Sequence, residues 1–551
     1  MAARLAPLAL AAVVATAVVF FRRRRRPDDG KGESCAGVAS ACTQLVDDFG
    51  TDTEGAREFV DDALGHCAAE GLLFLRYAEA GPVHYGASPR CDANFKLDKW
   101  RIAPAALLPA TIDSDFFKVA KEVTSAMVRL LEAADLEWLD DAFGALAKSD
   151  GWTRKMLAIA RLELLGDAKP RCLCARADFM LDSATRRVVN IEVNPFAASL
   201  AAQAEALSAV HRRLVGKYST CSKQSVEAAL PQNCAGAGLA DALAGAAALY
   251  RGANSASRRC VVLFVTIAEE DNEIDHRKLE TRLWDTHGIA SLRRTVSELV
   301  GESRFEHGHG TARPRLVVGG DEVAVAYFRL CNWHAVQGGW ALREALAASA
   351  TVEVPSAAVH LAGLKRSQVN WSKRNKLAAL GQRTGLRRGD VELLLAVSAP
   401  QFSLDDPEDV EAVSKLVAGS PGPLVAKPAR DGGCGGRAHT FDPFEIADFV
   451  RRAQQGDVAA MGWVVQQVAV PAAQQSLVLG AGATCAARPS VPELGIFATG
   501  LRSAASHLDV RVVGHLVRSK HQETLDGGLC RGNAVLDSPL LTKPLPADAA
   551  T

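Results

Sequence analysis

The sequence predicts an α/β protein built from several subdomains (α+β taken overall), and three observations support this class. The chain has 551 residues, more than one hydrophobic core normally serves, so more than one subdomain is expected. Helical periodicity is strong early in the chain, above all in Phe116–Ala147. From Arg258 onward short apolar strands alternate with helices, and β-rich stretches with glycine loops occupy Pro423–Val470 and Ser476–Pro539.

The part of the chain before Arg258 is predicted to be mainly helical, with one change of period. The predicted helical stretches are Cys42–Val83, Phe116–Ala147 (a pair of helices), Trp152–Leu165, Ala197–Val215 and Leu239–Tyr250. Between them, the proline-punctuated Ile102–Ile112 indicates a loop or short strand, and Cys172–Met180 and Val188–Val193 are typical of short strands.

A small α/β unit is predicted from about residue 258 to residue 360. The apolar strand Cys260–Ile267 precedes a helix at His276–Thr286, a short strand at Leu292–Thr295 and a hairpin that leads into Val323–Phe328. Strand, helix and strand at this spacing favour a parallel core. We therefore divide the chain into residues 1–36 (a hydrophobic leader with a basic linker), 37–257, 258–360 and 361–545.

Composition excludes some function classes. Lys plus Arg and Asp plus Glu both number 63, so no global charge favours nucleic acid, and we expect no nucleic-acid partner. The 13 cysteines are scattered, and the spacing of Cys172 and Cys174 suits neither a zinc knuckle nor a thioredoxin-like motif. Many unpaired cysteines in a large chain indicate a reducing compartment.

The N-terminus departs from this ordinary composition. Leu5–Phe21 is an apolar run at the lower limit for spanning a bilayer, and Arg22–Arg26 follow directly. Positive charge after the run favours a signal-anchor with the body of the protein in the cytosol, tethered by residues 5–21. A cleaved organelle-targeting leader and a later start of translation are the alternatives.

The glycine-rich stretch Leu424–Gly436 is the first candidate site. A short apolar strand ends at Lys427, and glycines follow it closely, which is the composition of a loop that surrounds phosphate groups. Lys427 would contact a phosphate oxygen and Asp431 a metal ion. A surface hairpin with incidental charges explains the stretch as well if it is taken alone.

Asn190–Ser199 is the second candidate site. Glu192 and Asn194 stand two residues apart in a predicted strand and therefore share one face. A carboxylate beside an amide oxygen suits Mg²⁺. A polar strand edge is the alternative.

Two further clusters are candidate ligand sites, and the basic residues in each, Arg329 in one and Arg518 with Lys520 in the other, suit an anionic group. Glu270, Asp271 and Asn272 follow the Cys260 strand, and Arg329 ends the Val323–Phe328 strand, where an open α/β sheet binds ligands, although a solvated helix N-terminus also explains the acids. Near the C-terminus, Arg518 and Lys520 alternate on one strand face ahead of a glycine loop. Together the clusters predict an ATP-dependent activator of carboxylates, while the P-loop and protein-kinase motifs are missing from the sequence.

Several strings in this order resemble the eukaryotic-type glutathione synthetases, which are ATP-grasp ligases. The strings are ARADFM (Ala175–Met180), NIEVNPFAAS (Asn190–Ser199), VAVAYFR (Val323–Arg329), LAGLK (Leu361–Lys365), LVAKPARDGG (Leu424–Gly433), PELGIF (Pro492–Phe497) and VGHLVRSK (Val513–Lys520). The resemblance implies an ATP-grasp fold in which residues 258–360 form an inserted substrate-binding domain. It also implies a homodimer that joins γ-glutamylcysteine and glycine with ATP and Mg²⁺.

The resemblance implies a role for each matching residue. The metal ligands would be Glu192, Asn194 and Asp431, and the catalytic residues Arg518, Lys427 and Lys365. The ATP-binding residues would be Glu192, Lys365, Lys427, Arg430, Asp431, Gly432, Gly433, Gly435, Gly436, Val465, Gln466, Gln467, Val468, Glu493, Lys520 and Asp526. The substrate-binding residues would be Arg176, Phe196, Ala197, Ala198, Ser199, Glu270, Asp271, Asn272, His276, Arg329, Arg518, Leu529 and Cys530.

The sequence also departs from the family pattern. Asp431 stands where the family usually has Glu, and His276 where it usually has Gln. Because Leu529 and Cys530 replace smaller residues, a ligase for another acceptor such as β-alanine or serine is one alternative function. A non-catalytic ATP-grasp binding protein is the other.

Overall fold

The structure is a computed structural model, and part of the chain is described here. The described residues are 35–49, 54–75, 100–166, 168–254, 258–268, 270, 272–307, 313–419, 422–429, 439–479, 485–524 and 534–543. The predicted anchor at residues 5–21 lies outside these ranges. None of the helices within them is long and apolar enough to span a bilayer.

The described residues form nineteen α-helices. They are α1 (Cys35–Phe49), α2 (Glu54–Ala69), α3 (Ser114–Ala133), α4 (Leu136–Phe143), α5 (Leu146–Ser149), α6 (Gly151–Leu165), α7 (Ala201–Tyr218), α8 (Lys223–Ala229), α9 (Ala235–Asn254), α10 (Glu273–His287), α11 (Val296–Glu302), α12 (Gly339–Ala348), α13 (Ala357–Ala362), α14 (Lys365–Trp371), α15 (Arg374–Thr384), α16 (Arg388–Val397), α17 (Pro407–Ala418), α18 (Pro443–Gln454) and α19 (Val458–Met461).

The strands follow in the same way. They are β1 (Leu73–Leu75), β2 (Trp100–Ile102), β3 (Ala110–Asp113), β4 (Arg171–Leu181), β5 (Val188–Asn194), β6 (Cys260–Thr266), β7 (Ser291–Thr295), β8 (Arg304–Glu306), β9 (Arg315–Val318), β10 (Asp321–Phe328), β11 (Val352–Val354), β12 (Gln401–Ser403), β13 (Leu424–Pro428), β14 (Trp463–Gln467), β15 (Gln474–Leu479), β16 (Cys485–Arg502), β17 (Asp509–His521), β18 (Ala534–Asp537) and β19 (Pro539–Thr542).

The described strands form three larger sheets and two two-stranded sheets, β1 with β2 and β3 with β19. The main sheet is antiparallel, with the order β18-β17-β16-β4-β5 and β15 paired to β16, so it joins strands from both halves of the chain. A second sheet has the order β7-β6-β10-β9-β8 with β11 beside β10, and its strands β7, β6, β10 and β11 run parallel. The third sheet, β12-β14-β13, is antiparallel.

The main sheet has an apolar core on each face because its strands carry apolar side chains on both sides. Leu494 and Ile496 of β16 pack in the core that includes α3, whose first N–H groups bond to the side chain of Asp113. Phe497 and Leu516 pack in the opposite core with α7 and α9. Toward one end of the strands, that second face changes from apolar to charged residues.

Most of the elements predicted from periodicity are present, and the parallel core of the small α/β unit is confirmed. The helix predicted from Ala197 begins only at Ala201, because Ala197 and Leu200 take positive φ angles of 51° and 76° in a turn. The prediction of a β-rich Pro423–Val470 was wrong in part, since α18 and α19 lie within it. Asp442 caps α18 through the N–H groups of Phe444 and Glu445, and Pro443 suits its first turn.

Candidate active site

The register of the main sheet brings charged residues onto one face. Residues opposite each other in an antiparallel pair share a face. Across β17, β16, β4 and β5, the opposed pairs are Arg518 with Glu493, Gly495 with Asp178, Asp178 with Glu192, and Arg176 with Asn194. Sequence segments that lie up to 340 residues apart are therefore neighbours here.

Asp178 lies at the centre of this face. Its carboxylate accepts two hydrogen bonds from Arg176, from Nε to Oδ1 at 2.7 Å and from the terminal nitrogen to Oδ2 at 2.8 Å. Arg518 reaches it from two strands away, with 3.0 Å from its terminal nitrogen to Oδ2. Burial raises the pKa of Asp178, while Arg176 and Arg518 act to lower it.

Gly495 makes this arrangement possible. It lies between Asp178 and Leu516 in the ladder, and the arginine side chain of β17 has to pass over it. A Cβ atom at this position would meet Asp178 Oδ1 at 2.8 Å and Arg176 Cδ at 3.0 Å. The glycine of the PELGIF string is therefore required by close approach of charged side chains.

Arg518 contacts three carboxylates through one terminal nitrogen. It bonds to Glu493 and Asp178, and Glu192 Oε1 lies 3.9 Å away. Burial would lower the pKa of Arg518, but Glu493, Asp178 and Glu192 raise it above its ordinary value, so the guanidinium stays charged. Its buried Nε has no hydrogen-bond partner among the described residues.

Glu192 and Asn194 are in contact, as their spacing predicts. Asn194 Nδ2 donates to Glu192 Oε1 at 2.9 Å, and Lys365 bonds to the other oxygen. Burial would raise the pKa of Glu192, but Lys365, Arg518 and Lys427 together lower it well below its ordinary value. An ionised carboxylate beside an amide oxygen is a donor set that fits a hard divalent cation.

The two candidate catalytic lysines reach this face from other elements. Lys365 is the first residue of α14, where Gly363 allows Pro195 to approach so closely that a Cβ atom would meet its ring at 2.3 Å. Lys427 on β13 donates to Gln466 Oε1 at 2.8 Å and lies 3.5 Å from the carbonyl of Ile191 on β5. The third sheet thus adjoins the main sheet through Lys427.

Four residues predicted to bind ATP lie on or directly after β14, namely Val465, Gln466, Gln467 and Val468. Val465 packs into the core of the third sheet, whereas Gln466 contacts Lys427. The N–H groups of Gln467 and Val468 bond to the carbonyls of Pro400 and Pro423.

The turn at residues 195–200 contacts two of the three candidate substrate-binding arginines, Arg176 and Arg329. Ser199 accepts from Arg176 through its carbonyl at 3.1 Å and from Arg329 through its hydroxyl at 2.5 Å. Phe196 stacks on His360 with ring centroids 4.3 Å apart, and Ala198 is buried in the core. Both of these residues therefore hold the turn rather than face open space.

The side chain of Asp275, at the start of α10, holds the same turn by hydrogen bonds to its backbone. It is buried and accepts the N–H groups of Leu200, Ala202 and Gln203 at 2.9, 2.8 and 3.2 Å. This carboxylate satisfies the start of α7 and stabilises the left-handed conformation of Leu200.

A buried chain of polar side chains lies beyond the C-terminal ends of β6 and β10 in the second sheet. It consists of Glu270, His276 and Arg329. Arg329 Nε donates to His276 Nε2 at 2.7 Å. His276 Nε2 also lies 3.1 Å from Glu270 Oε1. Burial would raise the pKa of Glu270, but His276 and Arg329 lower it to about 2. Burial and Arg329 lower the pKa of His276, which keeps the imidazole neutral and able to accept. Asn272, also buried, precedes α10 beside them.

Lys520 lies on β17, on the same face as Arg518. Several of the predicted site residues lie outside the described part of the chain. The residues outside are Asp271, Arg430, Asp431, Gly432, Gly433, Gly435, Gly436, Asp526, Leu529 and Cys530. Sequence reasoning missed Asp178 and Gly495. Asp178 stands two residues from Arg176, so the period of a strand could have placed both on the site face.

Comparison with known proteins places this geometry in a family. A family model described as the eukaryotic glutathione synthase ATP binding domain matches residues 54–541. The chloroplastic glutathione synthetase of Solanum lycopersicum is 29% identical over 520 residues, which cover 92% of this chain and 89% of the relative. The chloroplastic enzyme of Arabidopsis thaliana is 30% identical, with 79% of this chain and 78% of the relative covered. The glutathione synthetase of Bos taurus is 28% identical, with 91% and 99% covered.

A solved structure supports the fold. The apo form of a glutathione synthetase-like effector from Globodera pallida matches with a TM-score of 0.65 at 17% identity, over 90% of this chain and 99% of the other. The α/β class with an ATP-grasp architecture is confirmed. The chain belongs to the eukaryotic glutathione synthase family of ATP-dependent ligases.

Proposed function

We propose that this chain ligates glycine to γ-glutamylcysteine and produces glutathione, ADP and phosphate through an acyl phosphate. The charged face of the main sheet is the observation that carries the proposal. Arg176, Arg518 and Lys365 meet Asp178, Glu192 and Glu493 there, three cations against three carboxylates. Such a face can bind a polyanionic nucleotide and a carboxylate substrate side by side.

The reaction has two steps in this proposal. A carboxylate oxygen of the cysteinyl residue attacks the γ-phosphorus, the bond from the γ-phosphorus to ADP breaks, and an acyl phosphate forms. The glycine nitrogen then attacks the acyl carbon, the carbon–oxygen bond to phosphate breaks, and the amine proton is released. The side chains position the reactants and stabilise charge rather than form covalent intermediates.

Arg518 carries the main electrostatic role. Its Nε, which has no partner among the residues that the structure describes, would donate to the oxygens that gain charge at the acyl phosphate and the tetrahedral stage. Lys427 and Lys365 would contact phosphate oxygens, and Glu493, Lys520 and the residues at Val465–Val468 would complete the nucleotide site. Arg176, Ser199 and Arg329 would hold γ-glutamylcysteine.

Glu192 and Asn194, with Asp431 by resemblance, would hold Mg²⁺. When bound, the ion would neutralise charge on the nucleotide phosphates. The glycine loop to Gly436 and the loop that contains Asp526, Leu529 and Cys530 would enclose the site and exclude water from the acyl phosphate.

The test is product analysis with the full chain. With ATP, Mg²⁺, γ-glutamylcysteine and glycine, we expect stoichiometric glutathione and ADP, and no turnover by Lys427→Ala or Glu192→Ala, both of which should fold. Faster ADP release with β-alanine or serine than with glycine would reassign the acceptor. ADP release by either variant at the wild-type rate would contradict the proposed site.

Assembly and location are also proposals. The family resemblance leads us to expect a homodimer, which light scattering of the purified chain would detect. For residues 1–36 we propose a membrane tether with the body in the cytosol. Fractionation of cells that express the full chain, with a C-terminal tag, would instead find a shortened protein in an organelle if the segment is a cleaved leader.

A further inference from the structure

Asp178 has no assigned role in the proposed chemistry, yet its carboxylate contacts three candidate site residues, Arg176, Arg518 and Asn194. It is fully buried, and its carboxylate bonds to Arg176 and Arg518, with Asn194 Nδ2 at 3.4 Å. The amide of Asn190 bonds to its backbone carbonyl at 3.0 Å, at the irregularity where β4 and β5 shift register. Asn190 thus satisfies the backbone carbonyl of Asp178 at this irregularity, while the carboxylate of Asp178 faces two guanidinium groups.

The contacts of each arginine show what the carboxylate holds in place. Arg176 uses Nε and one terminal nitrogen on Asp178, and its other terminal nitrogen is thereby directed to the 195–200 turn at Ser199. Arg518 uses one terminal nitrogen on Asp178 and Glu493, which leaves Nε without a partner among the described residues. Planar bidentate pairing fixes the orientation of a guanidinium as well as its position.

We infer that Asp178 is the positioning residue that aligns the substrate-binding Arg176 with the charge-stabilising Arg518, an inference that rests on the proposed function. Without this carboxylate, two guanidinium groups would face each other across Gly495, with Glu493 and the more distant Glu192 left to offset Arg518. Both guanidinium groups would then turn toward other anions. Arg176 would no longer support the turn that carries Ser199.

The test compares Asp178→Asn with Asp390→Asn. Asp390 is a matched control because it is also buried and bidentate to an arginine, with 2.8 Å and 2.6 Å to Arg129, but it joins α3 to α16 away from the charged face. For D178N we expect the KM for γ-glutamylcysteine to rise about 10-fold or more and kcat to fall, with ATP affinity unchanged, since a misaligned charged hydrogen bond costs roughly this much. For D390N we expect a lower thermal midpoint and an unchanged KM.

The outcomes separate the two proposals. An active wild type with the same KM in D178N as in D390N would overturn the role of Asp178 and leave the ligase function intact, since loss of folded enzyme lowers kcat but not KM. A wild type that forms no glutathione would refute the proposed function and this inference with it. If D178N does not fold, Gly495→Ala keeps the carboxylate and must itself raise the KM, and an unchanged KM would overturn the inference.

Discussion

Replacing Gly495 by alanine probes the charged face without removing a charge. A Cβ atom would stand 2.8 Å from Asp178 Oδ1, whereas ordinary contact begins at 3.4 Å, so the carboxylate has to move by about 0.6 Å. Its bonds to Arg176 and Arg518 are 2.7 to 3.0 Å long and cannot all be kept after such a shift. Loss of one charge-assisted bond costs about 1.5–3 kcal/mol, which corresponds to a decrease of about 10- to 100-fold in kcat/KM.

The assay is the initial rate with γ-glutamylcysteine varied and with glycine and ATP saturating. Gly500→Ala is the matched control, because it adds the same methyl group to the same strand against Val128 and Leu508 at 3.0 and 3.2 Å. Both variants should unfold at lower temperature, since overpacking costs about 1–3 kcal/mol. G495A should lose activity and G500A should keep it, and a wild-type kcat/KM for G495A would refute the reasoning about this face.

Three further predictions concern single groups. In the wild type, protonation of His276 would remove the acceptor of Arg329 and place two cations 2.7 Å apart. Because burial and Arg329 lower the pKa of His276 from its ordinary 6.5, the KM for γ-glutamylcysteine should stay constant near pH 6.5 and rise only as pH falls through that lowered pKa. His276→Gln can both accept and donate hydrogen bonds and should remove this rise in KM at low pH, and identical pH profiles for the two proteins would exclude the effect. Burial raises the pKa of Asp537 from 3.8 to about 7 in the folded state. The stability that the protonated carboxyl contributes is therefore complete below pH 3.8 and is lost as pH rises through about 7, by up to about 4 kcal/mol. Asp537→Asn should remove this pH dependence from the thermal midpoint, and parallel plots of thermal midpoint against pH for both proteins would contradict the prediction. Lys365→Met removes the lysine cation that contacts Glu192. In the absence of nucleotide, Mn²⁺ should therefore bind at least about 10-fold more tightly to this variant, while turnover is lost. An unchanged Mn²⁺ affinity would show that Lys365 does not compete with the metal ion for this carboxylate.

Much of the fold could be predicted because its signals are local. The stripe of apolar residues in α3 and the bare apolar run of β6 each depend on neighbours in sequence, and both elements lie where the sequence predicts them. The start of α7 could not be predicted, because the turn before it depends on Asp275, more than seventy residues away in the chain. The helix α18 was missed because its capping aspartate and proline stand in a stretch dominated by strand and glycine signals.

The candidate site was predicted in part for the same reason. Glu192 and Asn194 share a short strand, so the period of two was enough to place them together. The contact of Arg518 with Asp178 spans 340 residues and depends on the register of three strands, which no local pattern specifies. The requirement for glycine at position 495 could not be predicted from the sequence, because it depends on the close packing of Asp178 and Arg176 against its backbone.

The acyl phosphate is the central claim, and the fate of the substrate carboxylate oxygen tests it most directly. γ-Glutamylcysteine with isotopically labelled oxygen in the cysteinyl carboxylate is incubated with the full chain, ATP, Mg²⁺ and glycine, and the inorganic phosphate is analysed by mass spectrometry. The account predicts that each glutathione formed is accompanied by one phosphate that carries one labelled oxygen, since the carbon–oxygen bond of the acyl phosphate breaks. Glutathione formed with unlabelled phosphate would contradict it.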